Sequence, residues 1–155
     1  MWLEKHLRHR SGFGVHSPML YRVVREAMMP RRIKGTDCEL YDKLREVGVG
    51  RRTATRLQNL YSLGYYNSWS IDTPPTENVM AIATPRASEE FLAQMAFHNC
   101  QNSNSLLCVI HPWRKPSRRR YCKRLIEQHN SMSASKTTLS LLFRRPDLLK
   151  QHIIL

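Results

Sequence analysis

Three groups of residues in this 155-residue chain have the types and spacing to do chemistry. The first is a basic run, Arg114, Lys115, Arg118, Arg119, Arg120, Lys123 and Arg124, interleaved with Trp113 and Tyr121. Cations at this density neutralise phosphates, and rings among them offer faces on which bases stack, so the run points to RNA or DNA. The opposing reading is a solvated basic face, with Tyr121 turned to the core because it shares a helical face with Leu125. The second is His111, directly after the apolar run Ser105–Ile110. An imidazole at a strand end is a candidate general base, but the local sequence supplies no carboxylate to orient it. The third is Asp72, Thr84 and Arg86, each following a candidate strand, where ligands of open α/β sheets are held. Arg86 has the forked donors to bind a carboxylate or phosphate. It is also spaced to pair with Glu89 and Glu90 at i+3 and i+4, which makes it an ordinary surface arginine.

The charge is strong and uneven. The net charge is +13, and residues 113–145 hold ten Lys/Arg against Glu127 alone. Residues 61–112 are acidic, with Arg86 as their single cation. Such a distribution implies affinity for polyanions. No run approaches the ~18 apolar residues of a membrane span, and charges follow Trp2-Leu3 too closely for a secretory leader. The four cysteines are scattered and form no CxxC, so a metal site is not expected; Cys108 and Cys122 read as small buried hydrophobes. The expected compartment is a reducing cytoplasm.

Positioning these groups requires a scaffold, and the pattern supplies one. Residues 1–11 read as a short helix. Ser17-Pro18 then starts another, Ser17 capping and Pro18 filling the first turn, with Leu20, Val23, Val24, Ala27 and Met28 on one face and Met29-Pro30 as its end. His16, just before that cap, reads as a structural hydrogen-bonder. Further helices are expected from Cys38 to Glu46 and from Arg51 to Leu63, the latter stopped by Gly64. Residues 1–64 are thus a helical extension. After it, Trp69–Ile71, Val79–Ala83, Ser105–Ile110, Thr137–Phe143 and His152–Leu155 read as strands. Ser88 caps one intervening helix and Ser117 another. Strand–helix alternation implies right-handed crossovers and a parallel sheet in residues 65–155. The short Arg144–Gln151 link implies a C-terminal antiparallel hairpin. The whole is expected to be one compact domain.

Some of these segments are also distinctive as a set. Arg10-Ser11-Gly12-Phe13-Gly14-Val15-His16-Ser17-Pro18 resembles the N-terminal signature of a methyltransferase-like family of Bacteroidetes-type bacteria. Leu107-Cys108-Val109-Ile110-His111-Pro112-Trp113 resembles that family's fifth strand and following loop. Leu142-Phe143-Arg144-Arg145-Pro146 with Lys150–Leu155 resembles its closing hairpin. The resemblance implies a class I S-adenosylmethionine-dependent methyltransferase-like, Rossmann-like α/β fold with a helical N-terminal cap, reduced here to four or five strands.

The resemblance also shows what is missing. Such a domain needs a glycine-rich turn after its first strand, where backbone approaches the cofactor. Here that turn is Asp72-Thr73-Pro74-Pro75, no GxG follows Gly64, and the next strand begins at Val79, too soon for a crossover helix. This implies a deletion of the cofactor segment, truncating the sheet at an edge. Acidic residues that relatives carry at the fifth strand's end are Cys108 and Val109 here. The chain therefore reads as a degenerate, non-catalytic relative with no S-adenosylmethionine bound. The alternatives are a small nucleic-acid-binding protein using the 114–124 helix, and a subunit or homodimer whose open sheet edge is completed by a partner.

Overall fold

A computed structural model describes residues 17–155; the expected 1–11 helix, the two signature glycines and His16 lie outside the described residues. The chain divides into two compact units at Tyr65/Tyr66. The first, over residues 17–65, is all helical. Helix α1 (Pro18–Arg22) has Ser17 as N-cap, its Oγ accepting from Leu20 N at 3.3 Å. It continues as a π-helical segment, Val23–Met28, whose wider turn buries Val23, Val24, Ala27 and Met28 together. Helix α2 (Glu39–Glu46) and α3 (Arg51–Tyr61) follow, with Gly64 at φ +84° past the end of α3. A glycine takes that left-handed angle without the cost a Cβ would impose.

Helix α3 organises this unit through buried polar groups. Asn59 Oδ1 accepts from Lys34 N at 2.9 Å, and its Nδ2 donates to Arg32 O at 3.0 Å. Gln58 Oε1 accepts from Tyr41 N, and Arg56 Nε donates to Met28 O. The irregular segment between the first helix and α2, and the first turn of α2 at Tyr41, thereby find partners for their backbone groups.

The second unit, residues 66–154, is a mixed α/β sheet of six strands: β1 (Ser68–Ile71), β2 (Val79–Ala83), β3 (Ser105–Ile110), β4 (Met132–Lys136), β5 (Leu139–Arg144) and β6 (Gln151–Ile154), with helices α4 (Glu89–Gln101) and α5 (Pro116–Gln128). Its order is β1-β2-β3-β5-β4-β6. Neighbours β1/β2, β2/β3 and β4/β6 are parallel, and β5 alone runs against the rest. This is compatible with a Rossmann-like sheet. All six residues of β3 are buried, as expected of a central strand with both faces covered. One face is packed by Leu92 and Met95 of α4 and Cys122 of α5 against Ala81, Ala83, Leu107, Val109 and Leu142.

Three expectations need correction. The strand β4 is an unforeseen sixth: Met132-Ser133-Ala134-Ser135-Lys136 lacks β-branched residues, but its buried hydroxyls pair across strands, Ser133 Oγ with His152 Nδ1 and Ser135 Oγ with Ser140 Oγ, both at 2.8 Å. The antiparallel hairpin is β4–β5, joined by Thr137-Thr138; β6 lies on the far side of β4, parallel to it, because both edges of β5 are already taken by β3 and β4. Helix α5 begins at Pro116, with Lys115 at the N-cap and no capping side chain, so Ser117 is inside the first turn and caps nothing. The link between β1 and β2 is a helix-free loop, as its length requires, and β1 is an edge strand.

Behind β5, His129 is buried and its ring Nε2, which carries the proton, donates to Phe143 O at 2.6 Å. Burial pushes its pKa below the usual 6.5, and His111 is lowered the same way. The unfolded chain therefore takes up protons first, so stability is full above about pH 7 and declines as pH falls from about 6.5 through the depressed folded values. Urea denaturation at pH 7.5 and 5.5 should give the lower midpoint at pH 5.5, and His129→Gln should narrow the difference.

Candidate functional site

The side chains singled out at strand ends do converge, on the C-terminal rim of β1, β2 and β3. Asp72 directly follows β1 at φ +50°, where its N donates to Ile82 O at 2.8 Å. Its carboxylate accepts from Thr84 N at 2.8 Å and from Thr84 Oγ1 at 2.6 Å. The two expected ligand contacts are thus each other's partners and clamp the end of β1 to the end of β2. Thr84 is buried. Arg86, two residues further, is exposed and makes no ion pair with Glu89 or Glu90. The surface pairing expected from its spacing does not form.

His111 closes β3 at φ +49°, its N donating to Thr138 O at 2.9 Å. Burial, then Arg114 and Arg118, push its pKa down, so the imidazole is neutral at pH 7. No carboxylate hydrogen-bonds its ring among the described residues, and the strand before it offers only Cys108 and Val109, both buried. Burial raises the Cys108 thiol far from reactivity. A base without an orienting acid and without a neighbouring nucleophile is a poor catalytic unit. Among the described residues no group of His, Cys, Asp and Glu is arranged to hold a metal ion.

The basic helix divides by face. Arg114, Lys115, Arg119, Arg120 and Arg124 are exposed, and Lys123 is half-buried. Arg118 is a correction: it is only 7% exposed and points inward. Its Nη1 donates to Ala87 O at 2.8 Å, its Nη2 to Ile110 O at 3.0 Å and Thr84 O at 3.1 Å, and its Nε to His111 O at 3.2 Å. One guanidinium therefore satisfies four carbonyls at the ends of β2 and β3 and cannot meet a phosphate from outside. The signal was present: Arg118 precedes Tyr121 and Cys122 by three and four residues, which places it on their inward face. Trp113 and Tyr121 pack against the apolar cluster under α4 and α5, so neither ring is a free stacking platform; the Arg124 guanidinium lies 5.9 Å from the Tyr121 centroid.

Two cavities open on this rim. The larger, about 410 Å³, is lined by Arg86, Ser88, Glu89, Arg114, Lys115 and Ser117, with Arg118 behind. The smaller, about 350 Å³, is lined by Asp72, Arg86, Ser88 and Phe91. Ser88, Ser117 and Phe91 were not foreseen as lining residues, because Ser88 reads as a cap and Phe91 as core. Ser88 is indeed the cap, its Oγ accepting from Phe91 N. Comparison of the chain with family models, with curated proteins and with solved structures finds no match.

Replacing Arg118 with methionine keeps the stem but takes the donor from Ala87 O and Ile110 O, while Thr84 O and His111 O keep their bonds from Ala87 N and Arg114 N. Unsatisfied buried acceptors are expensive, so a loss of about 2–4 kcal/mol is expected in urea unfolding. An unchanged midpoint would show that water replaces the guanidinium.

Proposed function

We propose that this chain is a non-catalytic, methyltransferase-like α/β module that binds the phosphate backbone of RNA or DNA through the outer face of α5. The carrying observation is that Arg114, Lys115, Arg119, Arg120 and Arg124 are all exposed, while none of them makes an ion pair among the described residues. Cations left without acidic partners on one helix and its leading loop repel one another, and a polyanion relieves that repulsion by releasing its counterions. With Trp113 and Tyr121 held against the core, binding comes from phosphate contacts and carries little sequence preference.

The non-catalytic part of the reading rests on the rim. The turn after β1 is Asp72-Thr73-Pro74-Pro75, with no glycine to let a cofactor approach the backbone. The mixed sheet with its single reversed strand is compatible with the fold the resemblance implies.

Filter binding of single-stranded DNA and RNA should show retention at low salt that falls steeply as salt rises. Replacing Arg119, Arg120 and Arg124 with alanine should weaken all sequences alike and flatten the log–log salt slope by about 2, at ~0.7 per lost single-strand phosphate contact. Absence of retention at low salt would remove the reading. Calorimetry with S-adenosylmethionine should give no binding heat; micromolar affinity would restore a catalytic reading.

A further inference from the structure

The two rim cavities share Arg86, Ala87 and Ser88 in their linings, so they lie side by side as two compartments of a single candidate groove. Their chemistry differs end to end. The larger compartment presents three exposed cations, Arg86 from the β2–α4 loop and Arg114 and Lys115 from the β3–α5 loop, against one carboxylate, Glu89. Ser117 adds a hydroxyl. The first-turn amides of α5 have no capping side chain. The smaller compartment presents the Asp72 carboxylate, whose two oxygens each accept one bond from Thr84 and keep a further lone pair, and the half-buried ring of Phe91. Both volumes fall in the ~300–1,000 Å³ range of small-molecule sites.

We propose that this groove binds a nucleoside monophosphate, free or as the phosphorylated end of a strand: its phosphate among Arg86, Arg114 and Lys115, its sugar hydroxyls toward Asp72, its base against Phe91. The strand-end form rests on the nucleic-acid reading above. A monoester carries nearly two negative charges where a chain diester carries one, so a cluster of three cations favours the terminal group. Both loops that carry the cations are tied down by Arg118, whose guanidinium bonds Thr84 O and Ala87 O on one side and Ile110 O and His111 O on the other. The cations are therefore mounted on a prepared frame, which lowers the ordering cost of binding.

The test uses the full chain. Amide resonances are followed by NMR during titration with adenosine 5′-monophosphate, adenosine and inorganic phosphate. Adenosine 5′-monophosphate should shift Arg86, Ser88 and Ser117, and should bind roughly tenfold or more tighter than adenosine. Arg86→Ala, which removes an exposed side chain outside the α5 surface, should weaken it by a similar factor while leaving thermal stability and binding to unphosphorylated strands unchanged. In parallel, fluorescence anisotropy compares oligothymidylates with a 5′-phosphate and a 5′-hydroxyl; tighter binding of the former assigns the site to strand ends, and equal binding alongside a nucleotide response assigns it to free nucleotides. Equal shifts with adenosine and its monophosphate, shifts confined to the outer face of α5, or an unaffected Arg86→Ala variant would overturn the proposal. Strand binding without any groove response would sink the groove and keep the helix surface; a groove response without strand binding would do the reverse.

Discussion

A single buried guanidinium holds together the part of this protein where chemistry would take place. Parallel strands end with carbonyls that lie beyond the strand ladder, and the loops that follow them must turn back over the sheet. Arg118 reaches down from the first turn of α5 and donates to four such carbonyls across β2, β3 and the loops beyond. Burial lowers its pKa, but an arginine starts so high that the charge stays. That charge is held by backbone carbonyls without an ion pair among the described residues, with Asp72 and Glu89 adding favourable charge from a distance. The Asp72–Thr84 clamp does the same work one strand over, with a carboxylate as the acceptor.

This arrangement explains why α5 has two characters. Its inward face mixes Arg118 with Cys122 and Ile126, and its outward face carries Arg119, Arg120 and Arg124. A count of basic residues treats these as one cluster. Only the outward group has its hydration shell and its donors available to a polyanion. The inward one has already exchanged water for carbonyl oxygens.

The same principle recurs in the helical unit on a smaller scale. Gln58 and Asn59 on α3 are buried amides that bond backbone groups of the 32–41 segment. In both units, backbone outside the regular ladders is held by buried polar side chains, Arg118 in the sheet unit and Gln58 and Asn59 in the helical one. Removing such a side chain exposes several groups at once, so damage there exceeds what a single hydrogen bond would suggest.

Much of the scaffold was legible from the chain alone. Apolar periodicity located α3, α4 and α5, the compact run Ser105–Ile110 located β3, and Ser17-Pro18 located the start of α1, because these signals are local and follow from capping and from a 3.6- or 2-residue repeat. Strand ends also placed Asp72, Thr84, Arg86 and His111 on one rim. The start of α5 was misread although Lys115-Pro116 carries the same first-turn proline signal as Ser17-Pro18. Strand β4 was missed because its serines are stabilised by partners on other strands, and β6 was misassigned because pairing depends on which edges are free. By itself, the sequence determined most of the elements, the rim and the excess of positive charge. Only the tertiary structure decided which carbonyls the inward arginine bonds, which strand ends the Asp72 carboxylate clamps and which strands pair. Those outcomes depend on contacts between residues far apart in the chain, about which local pattern carries no information.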